Sequence, residues 1–214
     1  MFLLNLFQSP LDASAILVGF LLIGIPVHEF AHAYIAYKFG DPTAKMEGRL
    51  SLNPIAHLDP VGTIMFLVIG FGWGKPVPIN PYLLKRREDE LKVAIAGILA
   101  NLLLAVLLAI PIRIALLHGN VIDASPALQF LRGLVEANII LAAFNLLPIP
   151  PLDGSHFIEY FLDPQQRIQF QQWGQYILIG LIMVGFVSGF SVISVIIEPL
   201  IRAFSFLVSG TGLF

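Results

Sequence analysis

Four long, almost uncharged apolar runs constrain this 214-residue chain more than any other feature. They cover residues 13–37, 93–112, 133–148 and 174–197. A helix needs roughly 20 apolar residues to cross the hydrocarbon core of a bilayer. Only 12% of the residues are charged, whereas a soluble domain has about 25%. We therefore predict an all-α polytopic membrane protein with about four transmembrane helices, and we exclude a soluble enzyme, a disordered tail and a nucleic-acid-binding protein.

A fifth apolar run, residues 60–74, is too short to cross the bilayer comfortably. It ends in a glycine-rich stretch that weakens both helices and strands. Backbone of this kind is tolerated at membrane depth where other parts of the protein cover it. We expect a short re-entrant or partly inserted element with minor β structure.

The distribution of Lys and Arg supports a run 60–74 that does not cross. In that topology nine of the 12 basic residues share one side, and positive residues concentrate on the cytoplasmic side. Both termini then lie outside. Residues 1–10 lack the basic segment of a cleaved signal peptide, so we expect the first helix to be retained. The nine are Lys38, Lys45, Arg49, Lys75, Lys85, Arg86, Arg87, Lys92 and Arg167, against Arg113, Arg132 and Arg202.

We expect one domain over residues 1–214 in the cell membrane, with a core at 13–156 and a C-terminal span at 174–201.

The first span contains the sequence His-Glu-Phe-Ala-His. Residues four apart share one face of a helix, so His28 and His32 can both face one metal ion with Glu29 beside them. Ionisable groups inside a bilayer are costly, and binding a cation offsets that cost. Two histidines satisfied by their helical neighbours are the structural alternative. Pro26 frees the Leu22 carbonyl and is expected to kink the helix near this motif.

A catalytic zinc site generally has three protein ligands, and this chain has no cysteine. Asp153 is the best third candidate, because the prolines of Pro-Ile-Pro-Pro-Leu-Asp-Gly must break the third span before it. In the four-span topology the first and third spans both run inward, so Asp153 can meet the two histidines. Asp59 is its main competitor, and an ordinary loop or capping role is the alternative for Asp153.

Other polar residues in or near the spans have less specific roles. We expect Asn101 and Asn138 to form hydrogen bonds between helices rather than to contact substrate. His57 and Asp59 are compatible with a second metal site or a proton shuttle, but a hydrogen-bonded loop is favoured. His156 is expected to lie close to the metal ligands.

Four sequence segments together resemble the site-2 protease family of intramembrane zinc metalloproteases, peptidase family M50, in its short form without PDZ or CBS domains. The segments are HEFAHAYIAYKFGDPTAKMEGRLSLNPIAHLDPVGTI, FGWGKPVPINP, AGILAN and FNLLPIPPLDG, which cover most of residues 24–156. The sequence departs from the family at Ile98, where proline is usual after Gly97.

The resemblance implies His28, His32 and Asp153 as ligands of Zn²⁺ and Glu29 as the general base. It also implies that Asn145 holds the substrate or stabilises the oxyanion. The expected activity is hydrolysis of peptide bonds in membrane-spanning proteins or peptides, with the lipid bilayer as the environment. A zinc transporter or a non-catalytic zinc-binding membrane protein is the alternative. Neither of these requires a glutamate between the two histidines.

Overall fold

The computed structural model describes residues 10–69, 72–119, 122, 125–188 and 191–210. Almost all of these residues are helical or lie in short connections, and four helices are long and apolar enough to cross a membrane. These candidate spans are Ala13–Lys38, Arg87–Leu117, Pro126–Asn145 and Val192–Ser209. The protein is an all-α polytopic membrane protein, as the composition predicts.

The first span changes its helical geometry just before the His-Glu-Phe-Ala-His motif. It begins as α1 (Pro10–Leu17), widens into a π-helix over Val18–Gly24 and continues as α2 (Ile25–Lys38). Pro26 lies at the start of α2 and has no N–H to donate to the preceding turn. The expected distortion is therefore present as a π segment, a feature often found at functional sites.

Short helices connect the first span to the second, and longer helices follow them. The short ones before the second span are α3, α4 and α5, followed by a 3₁₀ turn at Pro81–Leu83. Their bounds are Thr43–Met46, Pro54–His57 and Pro60–Ile69. The later helices are α6 (Arg87–Leu117), α7 (Pro126–Asn145), α8 (Ser155–Glu159), α9 (Pro164–Ser188) and α10 (Val192–Ser209).

Small residues let the first half of the first span pack closely against α7, and the two helices run in the same direction. A Cβ added at Gly133 would lie 2.6 Å from the Ala15 Cβ, and one at Gly19 would lie 3.0 Å from the Ala137 Cβ. Both contacts advance along the two helices together, so the first and third spans run parallel, as the four-span topology predicts. The main hydrophobic core lies between α6, α7 and α10.

The short run 60–74 returns to the place where it begins. Helix α5 has 10 residues, which corresponds to about 15 Å and is half the thickness of the hydrocarbon core. Leu58 and Gly74 then form an antiparallel bridge, so the two ends of the element lie side by side. This geometry is consistent with the expected re-entrant element, whose depth in the membrane stays a prediction. This bridge is the only β structure in the described part of the chain.

The fourth span is not the one predicted at 174–197. Helix α9 ends at Ser188, and the candidate span is α10, Val192–Ser209. The Ser191 side chain accepts a hydrogen bond from the Ser194 N–H and so caps α10. A Cβ on Gly185 would lie 3.3 Å from the Ser191 Cα, so the chain folds back here. The run 174–197 is uncharged throughout, so its charge pattern did not indicate that one helix ends at Ser188 and another begins at Val192.

Which side of the membrane each loop faces remains a prediction from the charge count. The chain has no cysteine, so His118→Cys and Gln166→Cys each introduce one thiol at an exposed position. We expect a membrane-impermeant maleimide to label position 118 from outside and position 166 from the cytoplasmic side. Labelling of both positions from one side would contradict the four-span topology.

Candidate metal centre

Three side chains from two distant parts of the chain converge at one point. His28 and His32 lie one turn apart on α2, and their Nε2 atoms are 2.9 Å from each other. The Asp153 Oδ2 lies 3.1 Å from the His28 Nε2 and 3.3 Å from the His32 Nε2. Both histidines are buried, and Asp153 is partly buried. Of the described residues, these three form the one group of His, Asp or Glu close enough to hold a metal ion.

The hydrogen bonds on the far sides of the imidazoles fix their tautomers. The His32 Nδ1 lies 2.7 Å from the Val93 carbonyl oxygen, which can only accept, so Nδ1 carries the proton. The His28 Nδ1 donates to the Asn101 Oδ1 over 2.7 Å. In both rings Nε2 is then left with an unprotonated lone pair, which is the form that binds metals.

The orientation of the Asn101 amide is itself fixed by two acceptors. Its Nδ2 donates to the Gly24 carbonyl over 3.1 Å and to the Asn138 Oδ1 over 2.9 Å. Its Oδ1 must therefore face His28. Asn101 and Asn138 are both fully buried, and the predicted hydrogen bond between their helices is confirmed.

The donor set fits a divalent metal ion. Two lone-pair nitrogens and a carboxylate oxygen face one another, and the Asp153 Oδ2 is buried with no hydrogen-bond partner. Zinc binds His nitrogen and carboxylate oxygen at about 2.0–2.2 Å, which places neighbouring tetrahedral ligands roughly 3.4 Å apart. The observed separations of 2.9 to 3.3 Å are slightly tighter. A cation between these atoms would relieve the repulsion of their lone pairs.

The end of α7 directs Asp153 back towards α2. The helix ends at Asn145, and the Gly154 N–H donates to the Asn145 carbonyl over 2.7 Å, which closes the loop. A Cβ on Gly154 would lie 2.1 Å from the Leu146 carbonyl oxygen, so only glycine fits this turn. Burial raises the pKa of the Asp153 carboxyl, whereas His32 and His28 in their protonated forms lower it by more, so its net pKa lies below the ordinary value.

Gly97 allows α6 to approach the two histidines. A Cβ at this position would lie 2.4 Å from the His32 Nε2 and 2.6 Å from the Cε1 atoms of both imidazoles. No side chain fits there without moving α6 or the rings. The sequence singled out Gly97 only as part of a motif, and its close approach to the imidazoles was not predicted.

Glu29 and Asn145 face the same cavity as the three converging side chains. The cavity has a volume of about 650 Å³ and is lined on one side by α9. The Glu29 Oε2 accepts a hydrogen bond from the Val77 N–H over 2.8 Å. The Asn145 Nδ2 donates to the Leu141 carbonyl over 2.9 Å, so one amide hydrogen is engaged within its own helix. His156 also lines the cavity, as expected.

His57 and Asp59 do not join the cluster. The His57 Nε2 donates to the Ser51 carbonyl over 2.7 Å, and the Asp59 Oδ1 accepts from the Gly62 N–H over 2.7 Å. These bonds confirm the hydrogen-bonded loop that was favoured over a second metal site. Sequence reasoning missed Arg49 and Val77, whose contacts with this loop and with Glu29 were not predicted.

Comparisons with known proteins agree on one family. The profile of peptidase family M50 matches residues 107–187. The chain is 44% identical over 173 residues to "Putative zinc metalloprotease YwhC" of Bacillus subtilis, which covers 78% of each chain. It is 33% identical over 171 residues to "Putative zinc metalloprotease Rip2" of Mycolicibacterium smegmatis, which covers 76% of this chain and 64% of that protein. No solved structure was found to match. The chain therefore belongs to peptidase family M50 and is a zinc metalloprotease.

Proposed function

We propose that this protein hydrolyses peptide bonds of membrane-spanning proteins or peptides within the bilayer of the cell membrane. His28, His32 and Asp153 hold Zn²⁺, and Glu29 is the general base. The observation that carries the proposal is the convergence of two unprotonated imidazole nitrogens and an orphaned carboxylate oxygen inside a bundle of membrane-spanning helices. Residues 1–214 act as one domain in this proposal, because α6, α7 and α10 share one core.

The depth of the site supports cleavage within the membrane. His28 lies ten residues before Lys38, the last residue of the first span, which is about 15 Å along the helix axis. The cavity beside it is lined mostly by apolar side chains, among them Phe20, Leu141 and Ile182. An extended apolar chain fits such a cavity better than a polar loop does.

Each residue at the site has a defined task in hydrolysis. Bound zinc supplies a Lewis acid that polarises the scissile carbonyl and lowers the pKa of a coordinated water. Glu29 accepts a proton from the attacking water at one carboxylate oxygen and delivers it to the leaving amine. In this proposal the second amide hydrogen of Asn145 donates to the developing oxyanion. The apolar walls limit competition from bulk water.

The assignment of Asp153 is tested by metal analysis alongside cleavage of a model membrane-spanning substrate. We expect Asp153→Ala and His32→Ala to lose most of their bound zinc and their activity, because each removes one of three protein ligands. Asp59→Ala is the matched control, since its carboxylate caps α5. It should keep both zinc and activity.

One outcome would contradict the assignment of Asp153, and another would contradict the proposed activity. Full zinc occupancy in Asp153→Ala with zinc loss in Asp59→Ala would transfer the ligand role to Asp59. Full zinc occupancy in the wild-type protein without cleavage of any membrane-spanning substrate would instead favour a zinc-binding protein or a transporter.

A further inference from the structure

A proline-rich segment lines the cavity beside Glu29. It runs from Gly74 to Asn80 with the sequence Gly-Lys-Pro-Val-Pro-Ile-Asn. Proline has no N–H, so between Pro76 and Pro78 the backbone has a single amide donor, that of Val77. This donor binds the Glu29 Oε2 over 2.8 Å. The alternation of prolines thus leaves one amide hydrogen in this stretch, and it faces the glutamate.

Arg49 holds the segment from the side that precedes Val77. Its Nη2 donates to the Lys75 carbonyl over 2.5 Å, and its Nη1 donates to the Pro76 carbonyl over 3.3 Å. The Arg49 side chain is 5% exposed, so these bonds are formed away from water. His57 adds a third bond, because its carbonyl accepts the Lys75 N–H over 2.7 Å.

Asp41 holds the segment on the side that follows Val77. This residue is 1% exposed, and its Oδ2 accepts the Asn80 N–H over 2.7 Å. Its Oδ1 accepts the Thr43 N–H over 2.9 Å, which fixes the carboxylate. The segment is therefore attached to the loops that follow the first span both before and after Val77. The two prolines restrict φ between the attachment points.

We propose that the Val77 amide, held in place by Arg49 and Asp41, is a positioning group for the Glu29 carboxylate. This inference rests on the proposed function, in which Glu29 is the general base. A glutamate side chain has several rotatable bonds, and a fixed donor on one oxygen leaves the other oxygen directed into the cavity. Catalytic groups depend on being held this closely to their productive geometry. Arg49 acts through Val77 and does not touch the reacting atoms.

The direct test removes the amide hydrogen and leaves the extended backbone. Val77→Pro deletes the donor, whereas the matched variant Val77→Ala shortens the same side chain and keeps the donor. We expect kcat of Val77→Pro to be about 10- to 100-fold lower than that of Val77→Ala, the range for losing a hydrogen bond to a charged group. Zinc content and KM should be alike in the two variants. Equal kcat values would overturn the proposal.

A second pair of variants tests the role of Arg49. Arg49→Met removes both donor nitrogens and keeps most of the side-chain volume, and Arg49→Lys restores one donor. We expect kcat to fall in Arg49→Met and to recover partly in Arg49→Lys, with zinc retained in both. Leu50→Ala controls for packing, because Leu50 contacts the cluster that contains Val77 and has no part in the hydrogen bonds. A kcat loss in Leu50→Ala as large as that in Arg49→Met would show a merely structural effect.

A spectroscopic measurement tests the contact without relying on activity. In protein labelled with ¹⁵N-valine, the Val77 amide signal is identified by its absence from Val77→Ala. An amide proton bound to a carboxylate resonates downfield, so we expect an upfield shift of this signal in Glu29→Ala and in Arg49→Met. An unchanged shift in Glu29→Ala would overturn the proposal even if the proline variant failed to fold.

The same assay separates this proposal from the proposed function. Turnover that persists in Glu29→Gln would remove the general base and both proposals with it. Turnover that is lost in Glu29→Gln but equal in Val77→Pro and Val77→Ala would overturn the positioning role alone.

Discussion

Replacing Glu29 by Gln is expected to reduce kcat by about 10²- to 10⁴-fold, the range for losing a general base. Gln has nearly the volume of Glu, and its side-chain oxygen can still accept the Val77 N–H that binds the Glu29 Oε2. It cannot take a proton from water. Glu29 is not one of the three residues whose ligand atoms converge. The zinc content of Glu29→Gln should therefore stay near that of the wild-type protein.

The measurement is turnover of a membrane-spanning substrate together with zinc content in the same preparations. Glu47→Gln provides the matched control, since it makes the same chemical change at an exposed glutamate. It should match the wild-type protein in both quantities. Retention of most of the turnover in Glu29→Gln would rule out Glu29 as the base, and zinc loss in this variant would mean that Glu29 binds the metal.

Gly97→Ala is expected to weaken zinc binding without changing any ligand. The added Cβ would lie 2.4 Å from the His32 Nε2, which is closer than real Cβ contacts. Moving α6 away to make room would also break the bonds from His28 to Asn101 and from His32 to the Val93 carbonyl. Loss of such bonds typically costs 10- to 100-fold in metal affinity, so we expect at least about this loss.

Competition titration with a zinc chelator measures this effect. Gly180→Ala is the matched control, because a Cβ at Gly180 on α9 meets no atom within 4 Å. Its zinc affinity should equal that of the wild-type protein. Equal affinities in Gly97→Ala and Gly180→Ala would contradict the close packing of α6 on the imidazoles.

Spacing along a single helix made the histidine pair predictable. Residues four apart must share a face, and the structure places the Nε2 atoms of His28 and His32 2.9 Å apart. The approach of Asp153 followed from the proline-broken end of the third span and from the shared direction of the first and third spans. These inferences use local backbone chemistry and topology, which the sequence carries directly.

Contacts between distant segments were beyond the same reasoning. Nothing in the local sequence around Gly97 indicates that two imidazoles lie against it. The bond from Val77 to Glu29 joins residues 48 positions apart, and it depends on the path of the whole segment between the first and second spans. The error in the fourth span has another origin, because hydropathy and charge do not show where one apolar helix ends and the next begins. Ser191 caps a new helix inside the predicted run.

Mapping the bond that is cut tests the account most directly. The wild-type protein and Glu29→Gln would each be reconstituted in lipid vesicles with a substrate that has a single transmembrane helix, and the products identified by mass spectrometry. We predict new termini inside the transmembrane segment with the wild-type protein, abolished by zinc chelation and absent with Glu29→Gln. Cleavage confined to the loops outside the bilayer, or identical products with Glu29→Gln, would contradict intramembrane hydrolysis at this site.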